Sequence, residues 1–277
     1  GIFLGSGFRT PAQSRDSITL YGTLDTVQVI RQRIQHANEA NAGARVTHIS
    51  PAILQANKTR SLAELLTDHT SIYIKSLGTG ALSTASFRGT SASQTRVNWN
   101  GINITPPLSD TFDFSQIPVF FTDNINLYYG SSHVKNGTGA IGGSVNLFTD
   151  TDWNRGVNGR VLAEYGSYNT YTVGGQANIS GNKSASKTRL YYQHSDNDYT
   201  YLNKVLTNIP FREKRQDAAY SQFGIMQEGY FRVSPYTRLT AVAWYQKNHR
   251  NLPQPLGVVN RSQEDQEENN FRGYAGL

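Results

Sequence analysis

The segment Ser61–Thr149 decides the fold of this chain, because its pattern differs from that of the residues that follow it. It begins SLAELLTDHTSIYIKSLGTG (61–80), continues ALSTASFRGTSASQTRVNWNGINI (81–104) and closes with INLYYGSSHVKNGTGAIGGSVNLFT (125–149). Ser61 and Glu64 have capping-box spacing ahead of a leucine-rich face, which predicts a short helix ending near His69. The remaining letters predict short strands between glycine-rich turns. We therefore expect a small α+β unit here.

Two further local signals lie in or before this segment. Asn100-Gly101 stands between Thr95–Trp99 and Ile102–Ile104, and Asn-Gly is the dipeptide that tight hairpin turns prefer. We expect these two pieces to pair as antiparallel strands. Upstream, the letters THISPAI (Thr47–Ile53) predict a short extended piece that Pro51 interrupts.

Long strands with regular spacing replace this pattern near Val157. The predicted strands are Val157–Tyr165, Thr170–Ile179, Lys187–Asp196, Ala218–Arg232, Arg238–His249 and Asn270–Leu277. Short turns alternate with long polar connections, as in outer-membrane barrels, although Gly166–Asn169 is short where a long loop is expected. In the fourth strand Phe223 faces one side, and Gln222 and Glu228 face the other. A soluble β-sandwich or propeller would alternate equally well, so the strands alone leave both architectures open.

The composition narrows the classes of function. The chain has 277 residues, of which 37% are hydrophobic, and no stretch approaches the ~18 continuous apolar residues of a membrane helix. It has no cysteine, so disulfides, thiolate metal sites and cysteine nucleophiles are excluded. The net charge of +6 is spread along the chain without the dense basic stripe that nucleic-acid binding requires. We expect no nucleic-acid partner.

The sequence contains no catalytic constellation, so we do not expect an enzyme. The letters GTGAIG (137–142) match the dinucleotide-binding fingerprint, but a strand-like SVNLF follows where that site requires a helix. Glycines in tight turns explain these letters better. Two acidic groups on predicted loops, Asp196 with Asp198 and the run Glu264–Glu268, have the carboxylates to hold Ca²⁺, although solvated loop charge also explains them. We expect no other cofactor.

Four pieces of the chain resemble, in the same order, the plug domain of TonB-dependent outer-membrane receptors. They are SLAELL (Ser61–Leu66), the Arg-Gly segment Phe87–Thr90, the hairpin Arg96–Ile104 and the glycine-rich closing piece Gly137–Leu147. The resemblance implies a membrane β-barrel with an N-terminal α+β plug domain. The chain is expected to cover the plug and roughly the first six strands of a larger barrel of the 22-strand type.

The same resemblance implies a division into three parts. Residues 1–24 are expected to be a leader or a disordered segment, and residues 25–152 to be the TonB box and the plug domain. Residues 153–277 are expected to be the N-terminal part of an incomplete transmembrane β-barrel. Localisation in the cell outer membrane follows from this architecture.

The resemblance also implies a function and partners. It implies TonB-dependent active transport of a scarce nutrient, such as cobalamin or a siderophore, across the outer membrane, without chemistry on the ligand. Arg88–Ser93 and Phe114–Pro118 are most similar to vitamin B12 receptors, although siderophore and haem receptors share much of the pattern. The implied partners are TonB, the nutrient, outer-membrane lipid and a surface lipoprotein. The alternative from another class is a soluble all-β binding or adhesion module.

Three sets of site residues follow from the resemblance. The TonB-binding set is Asp25, Thr26, Val27, Gln28 and Val29. An accessible extended segment of this kind can add to the edge of a partner's sheet. The ligand-binding set lies on two loops at the plug apex and comprises Leu77, Gly78, Thr79, Gly80, Ala81, Leu82, Ser83, Pro107, Leu108, Ser109 and Asp110. The third set is Arg88 alone, which is expected to tie the plug to the barrel.

Arg88 lacks the acidic plug neighbours that the family usually has. Asn100 stands where Asp is usual, and Asn126 stands where Glu is usual. A confined arginine requires an opposite charge. We therefore expect a carboxylate of the barrel wall, Glu164 or Glu228, to pair with Arg88.

Overall fold

The computed structural model describes residues 45–106, 109, 111–130, 142–204, 210–253 and 264–277. Two short helices lie in this part, α1 (Pro51–Ala56) and α2 (Leu62–His69). No helix among the described residues is long and apolar enough to cross a membrane. The predicted capping box is confirmed: the Glu64 backbone N–H donates to Ser61 Oγ at 3.3 Å, and the Ser61 N–H donates to the Glu64 carboxylate at 2.9 Å.

Helix α1 occupies part of the segment that the sequence predicted to be extended. Only β1 (Arg45–His48) is extended there, so the prediction of an extended piece through Ile53 is wrong. The Ser50 hydroxyl caps the helix by accepting from the Ile53 N–H at 3.3 Å, and Pro51 occupies the first turn. Proline costs no hydrogen bond in that position, because the first N–H groups of a helix have no partner within it.

The described residues between 45 and 150, which we call the plug region, contain a five-stranded sheet and a separate hairpin. The sheet contains β1, β4 (Thr95–Trp99), β5 (Ile102–Asn103), β6 (Asn124–Tyr129) and β7 (Gly143–Phe148), in the order β1-β6-β7-β4-β5. Strands β4 and β7 are parallel, and the other neighbouring pairs are antiparallel. The separate hairpin pairs β2 (Tyr73–Ser76) with β3 (Ser83–Ser86).

The predicted hairpin at Asn100-Gly101 is confirmed. Trp99 pairs with Ile102 directly across the turn. Asn100 and Gly101 have φ angles of 50° and 88°, and a type I′ turn requires a positive φ at both central residues.

Six long strands form a second sheet, which we call the barrel sheet. Its strands are β8 (Gly156–Gly166), β9 (Thr170–Ser180), β10 (Ser184–Ser195), β13 (Tyr220–Arg232), β14 (Arg238–Leu252) and β15 (Glu264–Gly276). Neighbouring strands in this sheet are antiparallel. Strands β11 (Thr200–Asn203) and β12 (Phe211–Lys214) form a small hairpin in the connection from β10 to β13. The six predicted long strands are therefore confirmed, but β14 ends at Leu252 and β15 begins at Glu264, so the predicted loop Arg250–Asn269 is too long.

The two faces of the barrel sheet differ in chemistry. On β13, Gln222 and Glu228 face the plug region and are 6% and 0% exposed, whereas Phe223 and Ile225 on the other face are 36% and 40% exposed. Val161 on β8 also points outward and is 69% exposed. The predicted alternation is confirmed, and an apolar outward face is what a strand needs when it lies against lipid.

An aromatic patch joins the barrel sheet to the plug region. The ring of Trp244 lies 5.3 Å from the rings of both Trp99 and Phe121. The neighbouring ring of Phe120 lies 5.7 Å from Tyr191. Since these rings are nearly inaccessible to solvent, burial of apolar area holds the plug region against the sheet.

Candidate functional site

Inward side chains of the barrel sheet form rows across the strands, because paired residues in an antiparallel sheet point to the same side. Four of the rows that face the plug region are named by their chemistry. The ionic row contains Asn158, Asn178, Lys187, Glu228, Val242 and Tyr274, and the arginine row contains Arg160, Gln176, Arg189, Met226, Trp244 and Arg272. The glycine row contains Leu162, Gly174, Tyr191, Gly224, Gln246 and Asn270. The amide row contains Glu164, Thr172, Gln193, Gln222, Asn248 and Glu268.

A buried cluster of charges joins the plug region to the ionic and arginine rows. Asp123, immediately before β6, accepts a hydrogen bond from Lys187 Nζ at 3.0 Å and another from the Arg189 guanidinium. Arg189 also lies 3.1 Å from the Glu228 carboxylate, and both side chains are 0% exposed. The Tyr230 hydroxyl donates to Glu228 at 2.6 Å. Each buried charge therefore has an opposite charge beside it, which is the condition for keeping charges out of water.

This cluster sets the pKa of Asp123. Burial alone would raise that pKa, but the positive charges of Arg189, Lys187 and Lys58 outweigh burial and hold it well below its usual range. The Asp150 backbone N–H donates to the Asp123 carboxylate at 2.9 Å and acts in the same direction. Asp123 is therefore an anion at physiological pH.

Lys58 is a buried cation of the plug region close to the same carboxylate. Its Nζ donates to the backbone carbonyl oxygens of Thr122 and Val119, the latter at 3.4 Å. Burial lowers the pKa of Lys58 to about 7. The negative charge of Asp123 acts against this shift, and the positive charge of Arg189 acts in the same direction as burial. Lys58 therefore changes its charge near neutral pH.

Barrel side chains hold the plug region largely through its backbone carbonyl groups. These contacts are Arg189 to Phe120 O at 3.0 Å, Tyr191 to Thr59 O at 3.1 Å, Gln222 to Ser115 O at 2.9 Å, Gln246 to Gln116 O at 3.0 Å and Asn197 to Thr79 O at 3.0 Å. Water can satisfy a carbonyl oxygen as well as an amide can. Such contacts therefore position the plug region without making it inseparable from the sheet.

Two phenylalanines of the plug region lie against glycines of the glycine row. A Cβ added at Gly224 would lie 2.6 Å from the Phe121 ring, and one at Gly174 would lie 3.2 Å from the Phe120 ring. The missing side chains leave the space that the two rings fill. The close fit depends on glycine at these two positions, and not on backbone flexibility.

We expect Gly224→Ala to destabilise the docked plug region by about 1–3 kcal/mol, because the added methyl group overlaps the Phe121 ring. Gly175→Ala is the matched control, since a Cβ there meets no atom within 4 Å. The measurement is the thermal unfolding midpoint of the purified protein, together with the rate at which a protease cleaves the plug region. Equal midpoints for the two variants would contradict the prediction.

The first predicted ligand loop, Leu77–Ser83, joins β2 to β3 and is fixed to the barrel sheet. Gly80, with φ of 70°, lies so close to the Tyr220 ring that an added Cβ would be 2.2 Å from it. The Asn197 side chain donates to Thr79 O at 3.0 Å. Leu77 and Leu82 at the tip are 68% and 38% exposed. The loop therefore presents two apolar side chains on a positioned backbone.

Asp113 connects both apex loops to the barrel sheet. Its Oδ1 accepts from the Ser83 N–H at 3.0 Å, and its Oδ2 accepts from Arg250 at 2.7 Å. Ser109 of the second loop is exposed and donates to Thr111 O at 2.9 Å. Three of the predicted ligand residues and the whole predicted TonB-binding set lie outside the described residues, namely Pro107, Leu108, Asp110, Asp25, Thr26, Val27, Gln28 and Val29.

Arg88 does not have the partner that the sequence led us to expect. It is exposed, and its guanidinium lies 5.7 Å from the centre of the Tyr129 ring within the plug region. Glu228 pairs with Arg189 instead, so the predicted Arg88–Glu228 pair is wrong, and Glu164 lies in the amide row. An exposed arginine keeps its hydration and can rest on an aromatic face without a buried counter-ion.

The acidic run Glu264–Glu268 lies on strand β15 and not on a loop, so that part of the prediction is wrong. Carboxylates of both groups considered for Ca²⁺ have protein cations beside them. Lys214 Nζ lies 2.7 Å from Asp198, and Lys247 Nζ lies 2.9 Å from Glu267. Within the described part of the chain, no three His, Asp or Glu side chains converge as a metal site would require. Calcium binding by these carboxylates stays a prediction.

The charge cluster around Asp123 was not among the features predicted from the sequence. A signal for it exists, because Lys187-x-Arg189 places two cations on the same face of one strand. Long cationic side chains on the inward face of a barrel strand require carboxylates opposite them. Their partner in the plug region is Asp123. No local sequence pattern predicts this pairing, because only the packing of the plug region brings Asp123 close to the two cations.

Comparison with known proteins agrees with this architecture. Residues 38–144 match the family model described as TonB-dependent Receptor Plug Domain. The vitamin B12 transporter BtuB of Photobacterium profundum is 31% identical over 135 residues, which are 49% of this chain and 22% of that protein. BtuB of Vibrio cholerae is 31% identical over 126 residues, 45% of this chain and 20% of that protein. The chain thus spans about a fifth of the length of these relatives.

Solved structures show the same fold at low sequence identity. The alcaligin outer membrane receptor FauA from Bordetella pertussis has a TM-score of 0.63 at 14% identity, over 85% of this chain and 36% of that one. The siderophore receptor PiuA from Acinetobacter baumannii has a TM-score of 0.57 at 20% identity, over 74% of this chain and 26% of that one. A plug-like domain followed by six long strands makes the chain similar to the TonB-dependent receptors of the outer membrane, among them the vitamin B12 transporters.

Proposed function

We propose that this receptor imports a scarce nutrient across the outer membrane, using energy that TonB delivers to the plug. The observation that carries the proposal is the contact between plug region and barrel sheet, where barrel donors hold plug carbonyl groups around one aromatic patch. Water can replace those donors one by one as the plug moves, while the barrel strands keep their own hydrogen bonds. No chemistry on the nutrient is required of any residue, and the soluble-module alternative is not favoured.

Cobalamin is the nutrient that we propose first, with a ferric siderophore as the second candidate. The similarity to vitamin B12 transporters supports cobalamin. The loop Leu77–Ser83 contains no basic side chain and exposes Leu77 and Leu82. A site of that kind suits a large ligand with apolar surface better than a strongly anionic one. The neighbours named as siderophore receptors share the fold at 20% identity or less.

The proposed partners follow from the parts of the receptor. TonB would capture Asp25–Val29 as an added strand from the periplasmic side. Outer-membrane lipid would cover the outward face of the barrel sheet, where Tyr165 and Phe271 are 70% and 74% exposed. A surface lipoprotein is a further partner that the resemblance implies.

Strand addition by TonB predicts a sharp difference between two substitutions at Val27. We expect Val27→Pro to reduce TonB-dependent uptake of labelled cyanocobalamin by about tenfold or more, because proline removes the N–H that a strand pair needs. Val27→Ala keeps that N–H and should retain most of the uptake. The measurement is uptake by cells with and without TonB, with binding to the cell surface measured in parallel. Uptake by Val27→Pro equal to that of Val27→Ala would refute capture at this segment.

A further inference from the structure

Charged side chains on the inward face of the barrel sheet, which we call the inner wall, are divided unequally between its two ends. The short turns at residues 181–183 and 233–237 mark the periplasmic end, because outer-membrane barrels have short turns on that side. The long connections that follow β10 and β14 mark the extracellular end. The glycine row carries no charged side chain and separates the two halves of the inner wall.

On the periplasmic side of the glycine row, the inward positions of the six described strands hold six cations and one carboxylate. The cations are Arg160, Lys187, Arg189, Arg232, Arg238 and Arg272, and the carboxylate is Glu228. On the extracellular side, the inward positions of the same strands hold one cation and three carboxylates, which are Arg250, Glu164, Glu264 and Glu268. The formal charge of these described strands is therefore +5 on the periplasmic half and −2 on the extracellular half.

Carboxylates of the plug region neutralise only part of the positive half. Within the described residues, Asp123 pairs with Lys187 and Arg189, and Asp150 lies 3.8 Å from Arg238. Two carboxylates are fewer than the excess of cations on this half, so the wall stays positive while the plug is docked. When the plug moves away, the contribution of these two carboxylates is lost and the excess of positive charge increases.

The remaining cations of this half have no carboxylate beside them within the described residues. Arg160 donates to a side-chain amide of the plug region, and Arg272 donates to Gln246 Oε1 at 2.7 Å. Arg232 and Arg238 are paired directly across β13 and β14, and like charges opposite one another destabilise a sheet. Ion pairing with the plug region therefore does not explain the whole positive half, and its charge requires another role.

The polarity of the inner wall has the direction that import of an anion requires. A surface with charge of one sign attracts ions of the opposite sign and raises their local concentration. At physiological ionic strength this attraction extends about 8 Å from the wall. The extracellular half repels an anion and the periplasmic half attracts it, whereas a cation experiences the opposite forces and is retained at the extracellular half.

We propose that the inner wall attracts an anionic ligand toward the periplasm once the plug has moved. The inference rests on the proposed function, and it restricts the ligand to molecules that carry a phosphate, carboxylate or similar anionic group. Arg160 and Arg272 are specificity-determining residues, because neither is neutralised by a plug carboxylate among the described residues. One anionic group is enough, so cobalamin meets this condition through its phosphodiester.

Ion selectivity tests the charge of the inner wall without the natural ligand. The full-length protein is inserted into a planar bilayer of phosphatidylcholine, which has no net charge, and urea on the periplasmic side unfolds the plug. The reversal potential in a gradient of about 10 mM KCl, where the Debye length is about 30 Å, gives the ratio of chloride to potassium permeability. We expect the double variant Arg160→Gln with Arg272→Gln to lower this ratio at least about twofold, because it removes two cations from the wall. Each single variant should lower the ratio by a smaller factor.

Two controls separate the effect of charge from the effect of side-chain size. The double variant Arg160→Lys with Arg272→Lys keeps both positive charges, so it should keep the permeability ratio of the wild type. In about 1 M KCl the Debye length is only about 3 Å, so the difference between the glutamine variant and the wild type should disappear. If the double glutamine variant does not fold, the two single variants decide the question in the same way.

Three outcomes overturn the proposal. They are an unchanged ratio in the glutamine variants at low salt, an equal loss in the lysine variant, and a difference that persists in about 1 M KCl. The transport proposal is judged separately, by TonB-dependent uptake of labelled cyanocobalamin and of a panel of ferric siderophores. Uptake by cells with the wild-type protein, together with unchanged selectivity in the variants, would retain transport and reject the charged wall.

Discussion

Arg189→Met should destabilise the docked plug region by about 3–5 kcal/mol, the cost typical of removing one partner from a buried ion pair. The substitution leaves Lys187 as the nearest cation to the two carboxylates, 4.0 Å from Glu228 and 3.0 Å from Asp123. Asp123 also keeps the attraction of Lys58. It also removes the donor to Phe120 O. The measurements are the thermal midpoint of the full-length receptor and the rate of plug proteolysis in detergent.

Two further variants show whether the loss of stability in Arg189→Met comes from unpaired buried charge. Arg212→Met changes an exposed arginine on β12 and should shift the stability by less than about 0.5 kcal/mol. The double variant Arg189→Met with Glu228→Gln should recover part of the loss, because a neutral amide still accepts from Tyr230 and needs no counter-ion. If Arg189→Met behaved like Arg212→Met, the buried cluster would have no role in holding the plug.

The stability of the docked plug should rise by up to about 4 kcal/mol between pH 7 and pH 10, through Lys58. Burial lowers the pKa of Lys58 to about 7 in the folded protein, whereas the unfolded chain keeps the usual value near 10.5. Between these two values the unfolded state binds the proton and the folded state does not, so stability increases with pH. Below pH 7 both states are protonated, and the cost of burying the charge is constant.

Comparison of two lysine variants isolates this effect from other titrating groups. Lys58→Met should remove the rise, whereas Lys75→Met, on an exposed residue of β2, should retain it. The charged groups near Lys58 are Asp123, Arg189, Arg160 and Lys187, and Asp123 remains ionised throughout this range because its pKa is held well below normal. The measurement is the thermal midpoint at intervals of pH. Parallel curves for wild type and Lys58→Met would show that Lys58 keeps a pKa near its usual value of 10.5 in the folded protein.

Both predictions concern the same place, where the plug region meets the ionic and arginine rows. On the proposed function, TonB must separate Asp123 from Lys187 and Arg189 before the plug can move. The carbonyl contacts can be taken over by water, whereas separating the buried ions leaves each of them without its partner. The charge cluster is therefore expected to oppose movement of the plug, together with the aromatic patch.

Much of the secondary structure could be predicted from local sequence patterns. Capping-box spacing at Ser61 predicted α2, the Asn100-Gly101 turn predicted one hairpin, and alternation predicted the long strands and the faces of side chains on two of them. These features depend on residues within one turn or one strand of each other, so the sequence is enough to predict them. The missed helix α1 was also local, since Ser50-Pro51 is a normal helix start, and it could have been predicted.

What the sequence alone determined, then, is the resemblance to TonB-dependent receptors, the long strands after Val157 and the faces of the side chains that were assigned on two of those strands. Only the tertiary structure decided which inward side chains meet one another, because the strand register sets the row of each residue and the packing of the plug sets what lies opposite. Asp123 against Arg189, Arg88 on Tyr129 and the uneven charge of the inner wall all depend on those two facts. Contacts between residues far apart in the chain leave no periodicity in the sequence.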